Sequence, residues 1–159
     1  TVPPTPTFYK KTVLKYSMYM KPFDIEQAKI VAEKIAKKYG LNFVTRCGSQ
    51  ATVRTHEKSD IDIGVAKRSA SYFEEAPVPL IEIENELPRA LNRDDIEVVN
   101  LSTVSPTIMY SVVEDGVALY EAKPNEFFEW KLFAMKVWRE TQWLRDRANR
   151  HLREWAKQL

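Results

Sequence analysis

Several large classes of protein are excluded by what this chain lacks. It has a single cysteine, Cys47, in 159 residues, so no intramolecular disulfide can form and a reducing, cytoplasmic setting is expected. No apolar run approaches the roughly 18 residues that span a bilayer, so no membrane partner is expected. The opening TVPPTPTFYKK lacks the apolar core of a secretion signal. There is no internal repeat, low-complexity tract or obvious linker, and this length favours one domain over two. The formal net charge of +2 is too small to imply a nucleic-acid partner by itself.

What is present is an ordinary globular composition, 44% hydrophobic and 29% charged. The charge is unevenly placed. Between Glu74 and Glu97 eight acidic residues face two basic ones, whereas from Arg139 to Leu159 six basic residues face three acidic ones.

Residues 1–7 hold three prolines and read as an extended tail within an N-terminal extension of residues 1–22, with KTVLKYSMYM open between strand and short helix. DIEQAKIVAEKIAKKYG reads as a helix: Asp24 caps it, Gln27 stands at the capping-box position and Gly40 stops it. Its expected apolar stripe is Ile25, Ala28, Val31, Ala32 and Ile35. LNFVTRC reads as a strand running into Gly48-Ser49, and SDIDIGVAK as a second strand. Pro77 to Leu91 is a predicted helix that Pro88 should end or kink. DIEVVNLS is a third strand. Ser105, Pro106 and Gly116 read as cap, first turn and stop of the next helix, and VALYE as a fourth strand. From Pro124 one long helix is predicted toward the C-terminus. Alternating strands and helices predict an α+β or α/β mixed sheet flanked by helices, with residues 23–122 as the main unit and 123–159 as a C-terminal helix.

That last helix carries a seam at alternating spacings of four and three: Trp130, Ala134, Val137, Thr141, Leu144, Ala148, His151 and Trp155. The favoured reading packs it along its own domain. The alternative has it protrude to meet a second subunit or another partner, since four tryptophans are many for one face of a small domain. Arg145, Arg147, Arg150 and Arg153 read most simply as a solvated face, with RNA as the minority reading.

Asp60 and Asp62 are the unusual residues, because aspartate is depleted in strands and a lone buried carboxylate is costly. Residues two apart on a strand share a face, about 6.6 Å from one another, so the two aspartates project together while Ile61 and Ile63 point to the core. Like charges so placed raise each other's pKa unless a cation lies between them. Mg²⁺ (or Mn²⁺), which prefers carboxylate oxygens, waters and phosphates, would supply it. Glu97 in the neighbouring strand is the candidate third carboxylate, with Asp95 as fallback on the same face. Three carboxylates suffice for two ions about 3.5–4 Å apart, the spacing used for in-line phosphoryl chemistry. Gly48-Ser49, just after a strand, suits close backbone approach to a phosphate. Within the connecting segment His56 and Lys58 read as solvated residues. Cys47 reads as a buried strand-end residue, since no histidine lies near it in sequence.

Gly-Ser followed by SDIDI resembles the minimal nucleotidyltransferases of the polymerase-beta superfamily, whose usual signature is G-S-x-A-R-G, a spacer and S-D-I-D-L. The resemblance runs from about Phe43 to Tyr120 and includes IEVVNLSTVSPTIMYSVVEDGVALYE. It implies Gly48 and Ser49 as phosphate contacts and Asp60, Asp62 and Glu97 as catalytic, metal-binding carboxylates. It also implies an NTP substrate, with ATP expected, and, as in the antitoxins of the family, a HEPN-type toxin partner that receives AMP on a tyrosine.

This chain departs from the signature at Thr52 and Val53, where the family has arginine and glycine. Arg54 follows two residues late, about 200° around a helix from the usual position. The metal site is therefore expected intact and the nucleotide loop altered. The leading expectation is a Mg²⁺-dependent enzyme moving a nucleoside monophosphate from an NTP to an acceptor hydroxyl. The alternative is a binding module of weakened activity, acting through its surface and C-terminal helix, with self-association through that helix also open.

Overall fold

The computed structural model describes residues 22–47, 60–67 and 77–158. Helix α1 spans Ile25–Tyr39, and its ends follow from its capping residues. The Asp24 carboxylate accepts from the Gln27 backbone N–H at 3.0 Å, and Gly40 closes the helix at φ 65°, a left-handed conformation costly for residues with a Cβ. Its buried face is Ala28, Ala32, Ile35 and Ala36. Ile25, expected in that stripe, is instead 38% exposed, because the first turn lies beyond the edge of the core that the later turns cover.

Strands β1 (Phe43–Cys47) and β2 (Ile61–Ala66) pair antiparallel, with Cys47 opposite Asp62. Helix α2 (Leu80–Leu91) returns the chain to β3 (Ile96–Asn100), which lies parallel to β2. Pro88 does not end α2. It sits inside the last turn, and the helix runs on to Leu91 before Asn92 closes it at φ 51°. Leu87 and Leu91 are buried, so core packing holds this turn despite the missing N–H. Helix α3 (Pro106–Asp115) begins with the Ser105 hydroxyl accepting from the Ile108 N–H and leads into β4 (Val117–Glu121), antiparallel to β1. The sheet order is β3-β2-β1-β4. Among the described residues this is an α+β fold of five helices and a mixed four-stranded sheet.

The pleat divides the interior in two. Val44, Ile61, Ile63, Val65, Val98 and Leu119 meet α1 and α2 on one face. Phe43, Cys47 and Ala66 point the other way and join Met109 and Val112 of α3 with Phe127, Trp130 and Ala134 of the next helix, α4 (Glu126–Glu140). Phe43 centres that second cluster, its ring 5.2 Å from Phe127 and 5.8 Å from Trp130. Two close approaches demand glycine. A Cβ at Gly64 would stand 2.6 Å from Leu101 Cδ1 and 2.9 Å from Thr45 Cγ2, and one at Gly116 would strike the Val112 carbonyl. Gly116 stops α3 in extended conformation, so tight packing and not a positive φ selects it.

The single C-terminal helix expected from sequence is two. Helix α4 spans Glu126–Glu140 and α5 spans Gln142–Ala156. The start falls at Glu126, two residues beyond Pro124, where the Glu121 carboxylate accepts from the Phe127 N–H at 2.9 Å and substitutes for a local cap. The break falls at Thr141, whose hydroxyl donates to the Val137 carbonyl at 2.7 Å. Back-bonding of this kind bends helices. Arg145 reinforces it, donating to the Trp138 carbonyl at 2.5 Å and to Thr141 Oγ1 at 2.7 Å while its guanidinium covers the Trp138 ring. Trp138 in turn stacks on Tyr110 at 4.7 Å. The seam divides accordingly: Trp130 and Ala134 are buried, but none of the α5 residues is.

Candidate functional site

The pairing of three strands decides what surrounds Asp62. Strand β1 ends at Cys47, opposite Asp62, and β3 sets Glu97 beside Asp62 in the parallel register. Ile61 and Ile63 are fully buried toward α1 and α2. Alternation therefore turns Asp62 to the α3–α4 face, and Glu97, between Ile96 and Val98, turns to the same face. Two acidic side chains thus meet across neighbouring strands that run about 4.8 Å apart. The register is pinned at its start, where the Ile61 N–H donates to the Asp95 carbonyl at 2.8 Å.

Their electrostatics follow from this placement. Asp62 is half-buried, and burial raises its pKa above the usual carboxylate range. The charges of Glu97 and then Asp60 raise it further. Asp60, one residue before β2, is exposed. Cys47 is buried, and burial, with Asp62 adding to it, pushes the thiol up to about 12. It stays protonated at neutral pH, in keeping with its reading as a strand-end residue and unsuited to nucleophilic attack.

Asp95, the fallback third carboxylate, is otherwise engaged. Arg93 holds it through two hydrogen bonds, Nε to Oδ1 at 2.8 Å and Nη2 to Oδ2 at 2.6 Å. That contact lowers its pKa. Between the two candidates the geometry favours Glu97, which shares a register with Asp62.

Asp60 and Glu97 also line an open cleft of about 320 Å³ beside β3, together with Asp94, Asp95 and Glu84 of α2. Glu84 carried no sequence signal, being one of three alternating glutamates on a helix. As the side chains stand, no group of three His, Cys, Asp or Glu among the described residues is drawn together tightly enough to hold an ion. The donor set nevertheless has the chemistry of a hard-cation site: hard carboxylate oxygens and, at Asp62, negative charge with no basic side chain among the causes of its shift. Gly48, Ser49, Thr52 to Arg54, His56 and Lys58 lie outside the described residues, as does KTVLKYSMYM.

No described helix is long and apolar enough to cross a membrane. Residues 29–125 match the polymerase beta nucleotidyltransferase family, so the match starts within α1, earlier than the Phe43 expected from the motifs. No curated protein matches the chain significantly. Solved structures do. A chain of a toxin–antitoxin crystallised with AMP-PNP is 23% identical, with TM-score 0.58 over 79% of this chain and 96% of the other. A chain of a mutant MntA-HpeT toxin–antitoxin is 19% identical, with TM-score 0.60 over 78% of this chain and 97% of that one. The complex of a tri-AMPylated Shewanella oneidensis HEPN toxin with an MNT antitoxin supplies a third, 20% identical, with TM-score 0.55 over 79% and 98%. At these identities the likeness is one of fold.

Proposed function

Because this chain belongs to the polymerase beta nucleotidyltransferase family, we propose that it transfers a nucleoside monophosphate, AMP, from a nucleoside triphosphate to an acceptor hydroxyl. The observation that carries the reading is the register of Asp62 against Glu97, with Asp62 raised in pKa by burial and by the charge of its two neighbours. An enzyme gains nothing from such repulsion unless a cation relieves it, and Asp60, Asp62 and Glu97 would hold that cation. Bound Mg²⁺ would neutralise charge on the triphosphate and lower the pKa of the acceptor hydroxyl.

The chain's own residues perform the positioning. Gly48 and Ser49, immediately after the strand end that faces Asp62, would offer backbone N–H groups to the phosphates. Asp60 is exposed and Asp62 half-buried, so Asp60 would be the more accessible of the two to an incoming substrate. Positioning and charge stabilisation carry most of the catalysis in chemistry of this type. A tyrosine of a HEPN-type toxin is the proposed acceptor, a reading supported by the AMPylated toxin bound to the antitoxin of like fold.

The test is incubation with Mg²⁺ and labelled ATP, with and without the HEPN-type protein. Label should move to that protein, and Asp60→Ala or Asp62→Ala should abolish the transfer. Binding of the HEPN-type protein that survives both changes, with no transfer by the unmodified chain, supports the binding module instead. Titration calorimetry showing no uptake of Mg²⁺ or Mn²⁺ would sink the enzymatic reading.

A further inference from the structure

Helix α5 carries an apolar stripe that its own fold leaves uncovered. Leu144, Ala148, His151 and Trp155 recur at spacings of four, three and four, which sets them along one side of the helix with Leu152 at the margin. Leu144 is 49% exposed, Leu152 62% and Trp155 61%. The same seam one helix earlier is buried against the sheet, so the stripe begins where own-domain packing stops.

The flanking charges indicate what covers it. In heptad terms Leu144 and His151 take position d, and Ala148 and Trp155 take a. Arg147 and Glu154 then both fall at g, while Arg145 and Leu152 fall at e. We propose that the stripe is covered by α5 of a second copy of this chain, packed antiparallel to form a two-fold symmetric dimer. In an antiparallel pair a faces d, which sets Leu144 against Trp155 of the second copy and Ala148 against its His151. The small side chain of Ala148 leaves room for the imidazole. The g positions face one another, so Arg147 meets Glu154 of the second copy. Two-fold symmetry makes the same ion pair twice.

Parallel pairing would instead bring g against e, setting Arg147 beside Leu152 with no ion pair, so charge selects the antiparallel arrangement. Neither partner of the Arg147–Glu154 pair is firmly held elsewhere. The one ion-pair contact of Glu154 within its helix is to His151 at 3.8 Å, too long for a hydrogen bond. Arg145, the remaining basic flank, is already bound to the Trp138 carbonyl and to Thr141. An antiparallel pair also puts the two folded bodies at opposite ends of a helix about 22 Å long, so they do not compete for space. The proposal is independent of the catalytic reading.

Sedimentation velocity on the full chain, from micromolar to submillimolar concentration, tests it. A reversible monomer–dimer equilibrium is expected. Arg147→Glu and Glu154→Arg should each weaken it by about tenfold or more, since two attractive pairs become repulsive. Combining the two should restore it, which a parallel pair would not do. Leu144→Glu should abolish dimerisation. These positions are exposed, so an unchanged melting temperature should show that each variant folds. Asp62→Asn should dimerise like the unmodified chain. A chain that stays monomeric throughout overturns the proposal, whether α5 is bare, covered by residues 1–21 or engaged by another protein or an anionic vesicle. A dimer indifferent to the single reversals, or a double variant that fails to recover, overturns it too.

Discussion

Asp62 is placed where stability and function oppose each other. Its raised pKa means that the folded state binds its proton more tightly than the unfolded chain does, so stability falls as pH climbs from the ordinary carboxylate value through the raised one. At neutral pH the ionised side chain is a net cost. In chelating buffer Asp62→Asn should therefore raise stability, by a small margin because solvent screens a half-buried group. Mg²⁺ should raise the melting temperature of the unmodified chain by mass action and leave the variant unmoved. Calorimetric melts with and without Mg²⁺ provide both comparisons. Asp95 has the opposite sign. The Arg93 hydrogen bonds lower its pKa, and its contribution is present above the ordinary carboxylate range and lost as pH falls through the lowered value. Arg93→Ala should cost about 1–2 kcal/mol at pH 7 and progressively less in acid, read as urea midpoints across pH. Gly64→Ala forces a methyl against Leu101 and Thr45 and should cost about 1–3 kcal/mol in the same assay.

At the scale of elements, local chemistry and packing divide the work. Asp24, Gly40, Ser105 and Pro106 announce the ends of α1 and the start of α3 in the sequence, because capping depends on residues within one turn. Asp24→Ala should cost about 1 kcal/mol, measured by thermal melts. The start of α4 could not be read that way. Its cap is Glu121, six residues upstream of the amide it serves, and only the turn after β4 brings the two together. The break at Thr141 was equally hidden. Threonine is tolerated within helices, and what ends α4 is the convergence of its hydroxyl with the Arg145 guanidinium and the Trp138 ring. Pro88 errs in the other direction: a strong local stop signal is overridden by the burial of Leu87 and Leu91. Since α5 buries no side chain in the core, truncation after Thr141 should cost the monomeric body only what the Arg145 contacts to Trp138 and Thr141 contribute, about 1–2 kcal/mol, by denaturant titration.

Across the whole molecule, the sheet separates two apolar clusters and leaves one end, where β1 stops and β2 and β3 start, to the carboxylates. A cluster of acidic side chains at the rim of a rigid sheet can hold charge in place without deforming to do so, which suits phosphoryl transfer. Of the four C-terminal arginines expected on a solvated face, Arg147, Arg150 and Arg153 are exposed, and Arg145 is instead structural. The tryptophans sort themselves along the same gradient. Trp130 is core, Trp138 is half-buried in the stack at the break, and Trp143 and Trp155 are exposed.

The sequence by itself determined the order of the elements, the caps of α1 and α3, and the candidacy of Asp60, Asp62 and Glu97. Each of these rests on spacing within a few residues, where periodicity and capping act. Tertiary structure alone decided that Glu97 rather than Asp95 stands beside Asp62, because strand register is a contact between segments some thirty-five residues apart. It decided as well that the last helix is two, and that the second lies outside the core, because burial depends on what the rest of the chain has left uncovered.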